Sequence, residues 1–344
     1  MWRSGTEPGK SAASLYGSFL LTYAIYIILL LIFFGMVVLE PGLLTFRNLL
    51  FILSQASTRV ILALGVAGII VLGCTDLSLG RAVGFAGIMT ASLLQSVSYE
   101  RRIFAGMPEL PIFIPILGAM LLCALFAVLQ CYFVAKVKVA PFIASLAFQL
   151  VLYGIQSIYF DVVNKSSPIG GLDERFKHFA QGYVPLGNPG IPYLVIYATL
   201  TTLVIWFIWN KTRLGRNMFA IGGNSEAASV SGINIVLTMM MIYTTAGLLY
   251  GFGGSLEAAR TGSAANSLGS GYELDAIASC VVGGVSMRGG VGSVGGVVIG
   301  VLIFQVISYG LVYLRVNTYV QYLIKGIIIL LAVSIDTQKY IQRK

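Results

Sequence analysis

Charge is scarce in this chain: 10% of its 344 residues are charged, where a soluble domain carries roughly 25%. With 57% hydrophobic residues and a mean hydropathy of +0.88, a soluble globular domain is excluded. Catalytic equipment is missing too. There is no nucleophile elbow, no paired-carboxylate spacing on a polar scaffold and no zinc motif, so no enzyme activity and no cofactor are expected. The single histidine, His178, has no Cys, His or acidic partner at metal spacing. The four cysteines, Cys74, Cys123, Cys131 and Cys280, lie in or beside apolar segments. None forms a Cys-x-x-Cys pair, which weakens metal and disulfide readings and leaves them as small packing residues. Glycine-rich stretches are present, but no Gly-Lys-Ser/Thr follows them, so ATP cannot be held in P-loop fashion. The excess of 22 basic over 13 acidic residues, a net charge of +9, lacks the aromatic interleaving of a nucleic-acid surface. Its bases sit in short loops, as on the cytoplasmic side of a membrane protein.

What the chain does have is long apolar runs. A spanning helix needs about 20 mainly apolar residues, and only helices or closed barrels satisfy their backbone in hydrocarbon. Spans are expected near 17–39, 48–72, 77–97, 112–135, 141–160, 191–210, 236–257, 273–287, 291–312 and 319–336. The fold class is therefore all-α: a polytopic membrane protein of about ten transmembrane helices. Glycines and polar residues mark the third and eighth spans as broken or partly re-entrant. The first apolar run is too long for a cleavable signal and no small-residue cleavage site follows it. With residues 1–16 as a cytoplasmic tail, the inner side receives twelve loop bases and the outer side eight. Lys211, Arg213 and Arg216, and the 337–344 tail, are the sharpest inside markers. Both termini are then cytoplasmic, flanking a 17–336 permease domain, and the 161–190 loop lies outside. That loop is punctuated by Pro and Gly, and its Asp173-Glu174 pair offers a docking charge to an external protein or is simply solvated. Shifted by 210 positions, Leu64, Val71, Gly73, Gly80, Gln95, Ser98 and Tyr99 meet identical residues at Leu274, Val281, Gly283, Gly290, Gln305, Ser308 and Tyr309. This faint repeat supports a transporter of two related lobes.

The cytoplasmic 211–235 loop, KTRLGRNMFAIGGNSEAASVSGINI, carries the clearest local signal. Asn224 is a good N-cap, Glu226 suits the positive end of a helix and Gly232 is a natural stop. Between them fit roughly two turns of helix. The small Ala227, Ala228, Ser229 and Ser231 leave a low surface on which a protein could seat itself. An ordinary solvated loop is equally compatible with the spacing.

This run resembles the cytoplasmic loop of ABC-importer permeases of the ribose/galactose branch, with Glu226-Ala227-Ala228 and Gly232 where that family places its docking motif. The stretch GCTDLSLGRAVGFAG, residues 73–87, resembles the same family's "DLS-small-Gly" signature. Its Thr75-Asp76-Leu77-Ser78 and Gly80-Arg81 are most similar to the galactose/methyl-galactoside subgroup. VGGVSMRGGVGSVGGVVIG, residues 282–300, is similar to the family's late glycine-rich segment. The resemblance covers about residues 48–336. It implies a multi-pass protein of the bacterial inner membrane, with a second permease copy, a cytoplasmic ABC ATPase subunit, a periplasmic sugar-binding protein and a monosaccharide substrate as partners. It also implies ATPase docking through Gly222, Gly223, Asn224, Glu226, Ala227, Ala228 and Gly232.

Within the spans, Thr75, Asp76, Ser78, Gln95 and Gln305 are candidates for a hydrophilic path, although each is also suited to interhelical bonding. Asp76 has three readings: it caps the third helix, pairs with Arg81 or Arg59, or faces a watery cavity and meets passing sugar. The 283–300 glycines read as close packing. An ion-coupled secondary carrier is the alternative function. Such carriers keep ionisable groups inside spans, and Arg59, Asp76, Asp275 and Lys325 are the expected ones here. A channel is disfavoured because no charged ring or filter sequence is visible.

Overall fold

The computed structural model describes residues 33–35, 37–38, 40, 42, 45–164, 167–185 and 190–341. The chain divides into two compact units, Leu44–Val306 and Met1–Leu43 with Ile307–Lys344. Its helices are α1 (Phe46–Val71), α2 (Leu79–Leu93), α3 (Phe113–Ala135), α4 (Pro141–Asn164), α5 (Glu174–Gln181), α6 (Tyr193–Lys211), α7 (Arg213–Gly223), α8 (Ser225–Val230), α9 (Ile235–Thr261), α10 (Tyr272–Val282), α11 (Val294–Tyr313) and α12 (Thr318–Ile341). The one described sheet is a two-residue antiparallel pair, β1 (Tyr183–Val184) with β2 (Ile191–Pro192). Every expected span from residue 48 onward has its helix; the first lies almost wholly outside the described residues. Among the described residues, six helices, α1, α3, α4, α6, α9 and α11, are long and apolar enough to cross a membrane. The two spans marked as broken are short, 15 residues in α2 and 11 in α10.

In the larger unit α9 is central, packed against α1, α2 and α3. Its glycines make that possible. A Cβ at Gly247 would lie 2.6 Å from the Ala124 Cα, and one at Gly251 would lie 2.4 Å from the Met120 Cα. This Gly-x-x-x-Gly step brings α9 and α3 together backbone to backbone, where lipid offers no hydrophobic drive and dispersion must hold the helices. The late glycine run packs as expected: a Cβ at Gly300 would lie 2.1 Å from the Ser279 carbonyl, and one at Gly283 2.2 Å from that of Gly296. Hydroxyls within the spans turn back on their own helices, as in Thr90 to Ala86 O (2.8 Å), Thr202 to Ala198 O (2.7 Å) and Ser255 to Gly251 O (2.8 Å). Their polarity is thus spent locally.

The ends of α1 and α10 are built alike, although the left-handed glycine after α10 is Gly284 and not Gly283, the residue the 210-position shift pairs with Gly73. After α1, the Gly73 N–H bonds Ile70 O and the Cys74 N–H bonds Ile69 O; after α10, Gly284 bonds Val281 O and Val285 bonds Cys280 O. Both glycines are left-handed, at φ +79° and +83°, as this helix-ending motif requires. Each turn then closes on a side chain. Asp76 accepts from the Ser78 N–H (2.9 Å) and Ser286 from the Arg288 N–H (3.3 Å).

Candidate functional site

The 211–235 segment is more ordered than a loop. Thr212 caps α7, accepting from the Gly215 N–H at 3.3 Å, and α7 buries Gly215, Met218 and Ile221. From sequence alone this stretch reads as a connection. Its apolar face recurs at three-residue steps among glycines, and this weak helical signal is completed by packing: Trp209 meets the Phe219 ring edge-on at 5.6 Å. Asn224, extended at φ −160° and ψ 106°, then starts α8 by accepting from the Ala227 N–H at 2.9 Å. Gly232, at φ +82°, ends it: its N–H bonds Ser229 O and that of Ile233 bonds Ala228 O. Ala228 is buried; Glu226, Ala227, Ser229 and Ser231 are exposed, and Val230 is 92% exposed. α8 is thus a two-turn projection with an apolar tip in solvent.

Gly222 and Gly223, adjacent in sequence, differ sharply. A Cβ at Gly223 would meet nothing within 4 Å, whereas one at Gly222 would lie 1.8 Å from Val71 O and 2.5 Å from Gly290 N. Val71 and Gly290 are themselves joined, the Gly290 N–H donating to Val71 O at 2.8 Å. The end of α1 and the loop after α10 therefore meet, and the last turn of α7 rests on their junction.

Asp76, Ser78 and Gln130 form one buried cluster with Tyr250. Asp76 Oδ1 accepts from the Ser78 N–H (2.9 Å), the Ser78 hydroxyl (2.7 Å) and Gln130 Nε2 (3.1 Å); Oδ2 accepts from the Tyr250 hydroxyl at 3.0 Å. Asp76 is 1% exposed. The two arginines offered as partners are engaged elsewhere, Arg59 over the Tyr272 ring and Arg81 over that of Tyr153. Thr75 is half-buried beside the cluster. The other two path candidates are not part of it. Gln95 lies beyond the far end of α2, roughly 22 Å away at 1.5 Å per residue. There it donates to Gly170 O and accepts from the Ile103 N–H, both at 2.8 Å. Gln305 donates to Gln55 at 2.9 Å and lines a cavity of ≈ 10 Å³ with Arg59, Tyr272 and Asp275, room for about one water.

Asp76→Asn is expected to keep uptake near wild type. Oδ1 retains its three donors, and the new amide can donate to the Tyr250 oxygen, since a hydroxyl works either way. Asp76→Ala orphans buried donors at about 1–3 kcal/mol for each and should lose uptake. An Asn variant as inactive as Ala, with uptake that collapses when the proton gradient is removed, would point to proton relay instead.

The intramembrane charges need correcting. Glu257 and Glu273, 1% and 9% exposed, belong with Arg59, Asp76, Asp275 and Lys325. Glu257 accepts from Arg260 Nη2 (2.7 Å) and Nε (3.1 Å), the Tyr272 hydroxyl (2.7 Å) and the Thr58 hydroxyl (3.0 Å). The spacing Glu257–Arg260, one helical turn apart, was the available signal. In the 161–190 connection, Asp173 caps α5 and pairs with Arg175, whose guanidinium holds the Asp173 carboxyl below the usual carboxylate range. Glu174 pairs with Lys177. A carboxyl lowered on folding contributes stability above its ordinary range and loses it as pH falls through the lowered value, so this cap persists in mild acid.

The sequence profile of the family described as "Branched-chain amino acid transport system / permease component" matches residues 48–333. The chain is 50% identical over 320 residues to the galactose/methyl galactoside import permease protein of Escherichia coli (strain K12), covering 93% of this chain and 95% of that one. It is 39% identical over 344 residues to the protein of that name in Treponema pallidum (strain Nichols), covering 95% of this chain and 64% of that one. It is 36% identical over 303 residues to the ribose import permease protein of Escherichia coli (strain K12), covering 88% and 89%. No solved structure matches it. Apolar helices with short, glycine-rich members among them, carried on a sequence that matches the family over residues 48–333, place this chain in the family of transport-system permease components, as a multi-pass membrane protein.

Proposed function

We propose that this chain is the membrane-spanning subunit of an ABC importer for galactose, methyl-galactoside or glucose. The observation that carries the proposal is near-full-length identity of 50% to a galactose/methyl galactoside permease against 36% to a ribose permease. In this reading the protein sits in the bacterial inner membrane with both termini cytoplasmic and acts as a homodimer. It receives sugar from a periplasmic binding protein, and ATP is hydrolysed on a separate subunit. The buried acids favour this over ion coupling: Asp76 and Glu257 are saturated by hydrogen bonds, the condition of structural groups rather than carriers of a mobile ion. Reconstituted with its ATPase and binding protein, the transporter should hydrolyse ATP faster with galactose or methyl-galactoside than with ribose. Equal stimulation by ribose, or uptake driven by an ion gradient without the ATPase, would overturn the reading.

The ATPase is proposed to seat on α8. The exposed Glu226 and Val230 and the strict stop at Gly232 support this. Glu226→Lys with Gly232→Val is expected to abolish uptake and leave membrane insertion intact. A side chain at a left-handed position costs about 1–2 kcal/mol, too little to unfold the bundle but enough to disturb α8. Normal uptake by this variant would remove the docking assignment.

A further inference from the structure

Between α9 and α10 the chain runs without helix through residues 262–271, Gly-Ser-Ala-Ala-Asn-Ser-Leu-Gly-Ser-Gly. Its hydrogen bonds fix its depth. Gln156 Nε2 donates to the Asn266 carbonyl (2.8 Å) and side-chain oxygen (2.9 Å), and the Asn266 amide donates to Ser157 at 3.1 Å. Arg81, stacked 4.1 Å over the Tyr153 ring midway along α4, donates to the Asn266 carbonyl at 3.5 Å. Farther on, a Cβ at Gly84 would lie 2.5 Å from Leu268 O, and one at Gly80 would lie 2.5 Å from Gly269 O, so the strand lies along the first turns of α2. α4 is a spanning helix over Pro141–Val163. The segment is therefore irregular backbone at the depth of a span's interior. Such backbone survives in a membrane only where protein buries it or water reaches it. This one is not all buried: Ser267 and Ser270 are exposed, and Asn266, Arg81 and Ser157 half-exposed.

We infer that Asn266–Ser270, with Arg81 and the face of Tyr153, lines the water-filled path along which the sugar crosses. This rests on the import function proposed above and assigns the path to a part of the chain distinct from the buried Asp76 cluster. Hydroxyls, an amide and a guanidinium exchange hydrogen bonds with water or with a neutral polyhydroxylated ligand, without the desolvation that a charged solute would demand. Tyr153, 41% exposed, offers a flat apolar surface to the C–H face of a sugar ring.

The four native cysteines are all buried, so introduced thiols report without background. Ser267→Cys and Ser270→Cys, in the transporter assembled with its ATPase and binding protein, should react with a charged methanethiosulfonate. The rate should exceed that of Leu150→Cys on the exposed apolar face of α4 by roughly tenfold or more, because the thiolate forms where water reaches it. Reaction should lower galactose uptake by each variant roughly tenfold or more relative to the same variant before labelling. Unreactive thiols at both positions, covered by protein or lipid, would overturn the path, as would complete labelling with uptake unchanged. Wild-type uptake is measured alongside: its absence would count against the import function, its presence with unreactive thiols against the path alone. Should one variant fail to assemble, the other decides.

Discussion

Glu257→Ala is expected to destabilise the bundle by about 3–5 kcal/mol, the cost of removing one partner from a buried ion pair. The alanine would leave the Arg260 guanidinium with no acceptor at its carboxylate site, and the Tyr272 and Thr58 hydroxyls without theirs. Arg59, stacked on Tyr272 at 3.1 Å, would lose a neighbouring negative charge. Glu174→Ala is the matched control, because its pair with Lys177 is solvent-exposed at the carboxylate, 86%, and such pairs contribute roughly 0–1 kcal/mol. Thermal unfolding of the purified variants in detergent distinguishes them. Removing Arg260 as well should recover part of the loss, since the second change deletes the orphaned charge. Equal melting temperatures for the Glu257 and Glu174 variants would show that the buried carboxylate is not what holds α1, α9 and α10 together.

The second large effect is expected at a residue with no side chain. Gly222→Ala places a carbon where Val71 O and Gly290 N now stand, at 1.8 and 2.5 Å, so backbone must move at three places at once. Gly223→Ala, one residue on, meets nothing within 4 Å and ought even to favour α7 slightly, since alanine is the better helix former by about 1 kcal/mol. Sugar-stimulated ATP hydrolysis by the reconstituted complex should fall to near its basal rate in the Gly222 variant and stay at the wild-type level in the Gly223 variant. Matching activities in the two would mean that the junction tolerates separation and plays no part in coupling.

The features legible in the sequence are those written within a few residues of themselves. The Asn224 cap, the Gly232 stop and the Asp76–Ser78 turn each close over two to five positions, so residue type and spacing suffice. Span existence follows from composition, and the shortness of α2 and α10 from their glycines and polar residues. What closes over long distances was not legible. Asp76 meets Gln130 and Tyr250 across 54 and 174 positions, and no local rule chooses these partners over Arg81 or Arg59. Glu257 stands at the edge of its apolar run, where a charge reads as the end of a span. Its partner Thr58 lies 199 positions away. Gly247 and Gly251 carry the spacing of a close helix contact, but this single Gly-x-x-x-Gly pair is a weaker signal than the dense glycines of 283–300, and its contacts on α3, Ala124 and Met120, lie more than 120 positions away in sequence.

The junction of Val71 and Gly290 beneath α7 has a mechanical meaning. A lever that bore on one lobe alone would tilt it against the other and skew whatever lies between. Under the docking proposed above, a push delivered at α8 would pass to the end of α7, which rests where Val71 and Gly290 touch. In that proposal the same displacement would bear on the end of α1 and on the loop after α10 together, as a wedge bears on two pages at the spine.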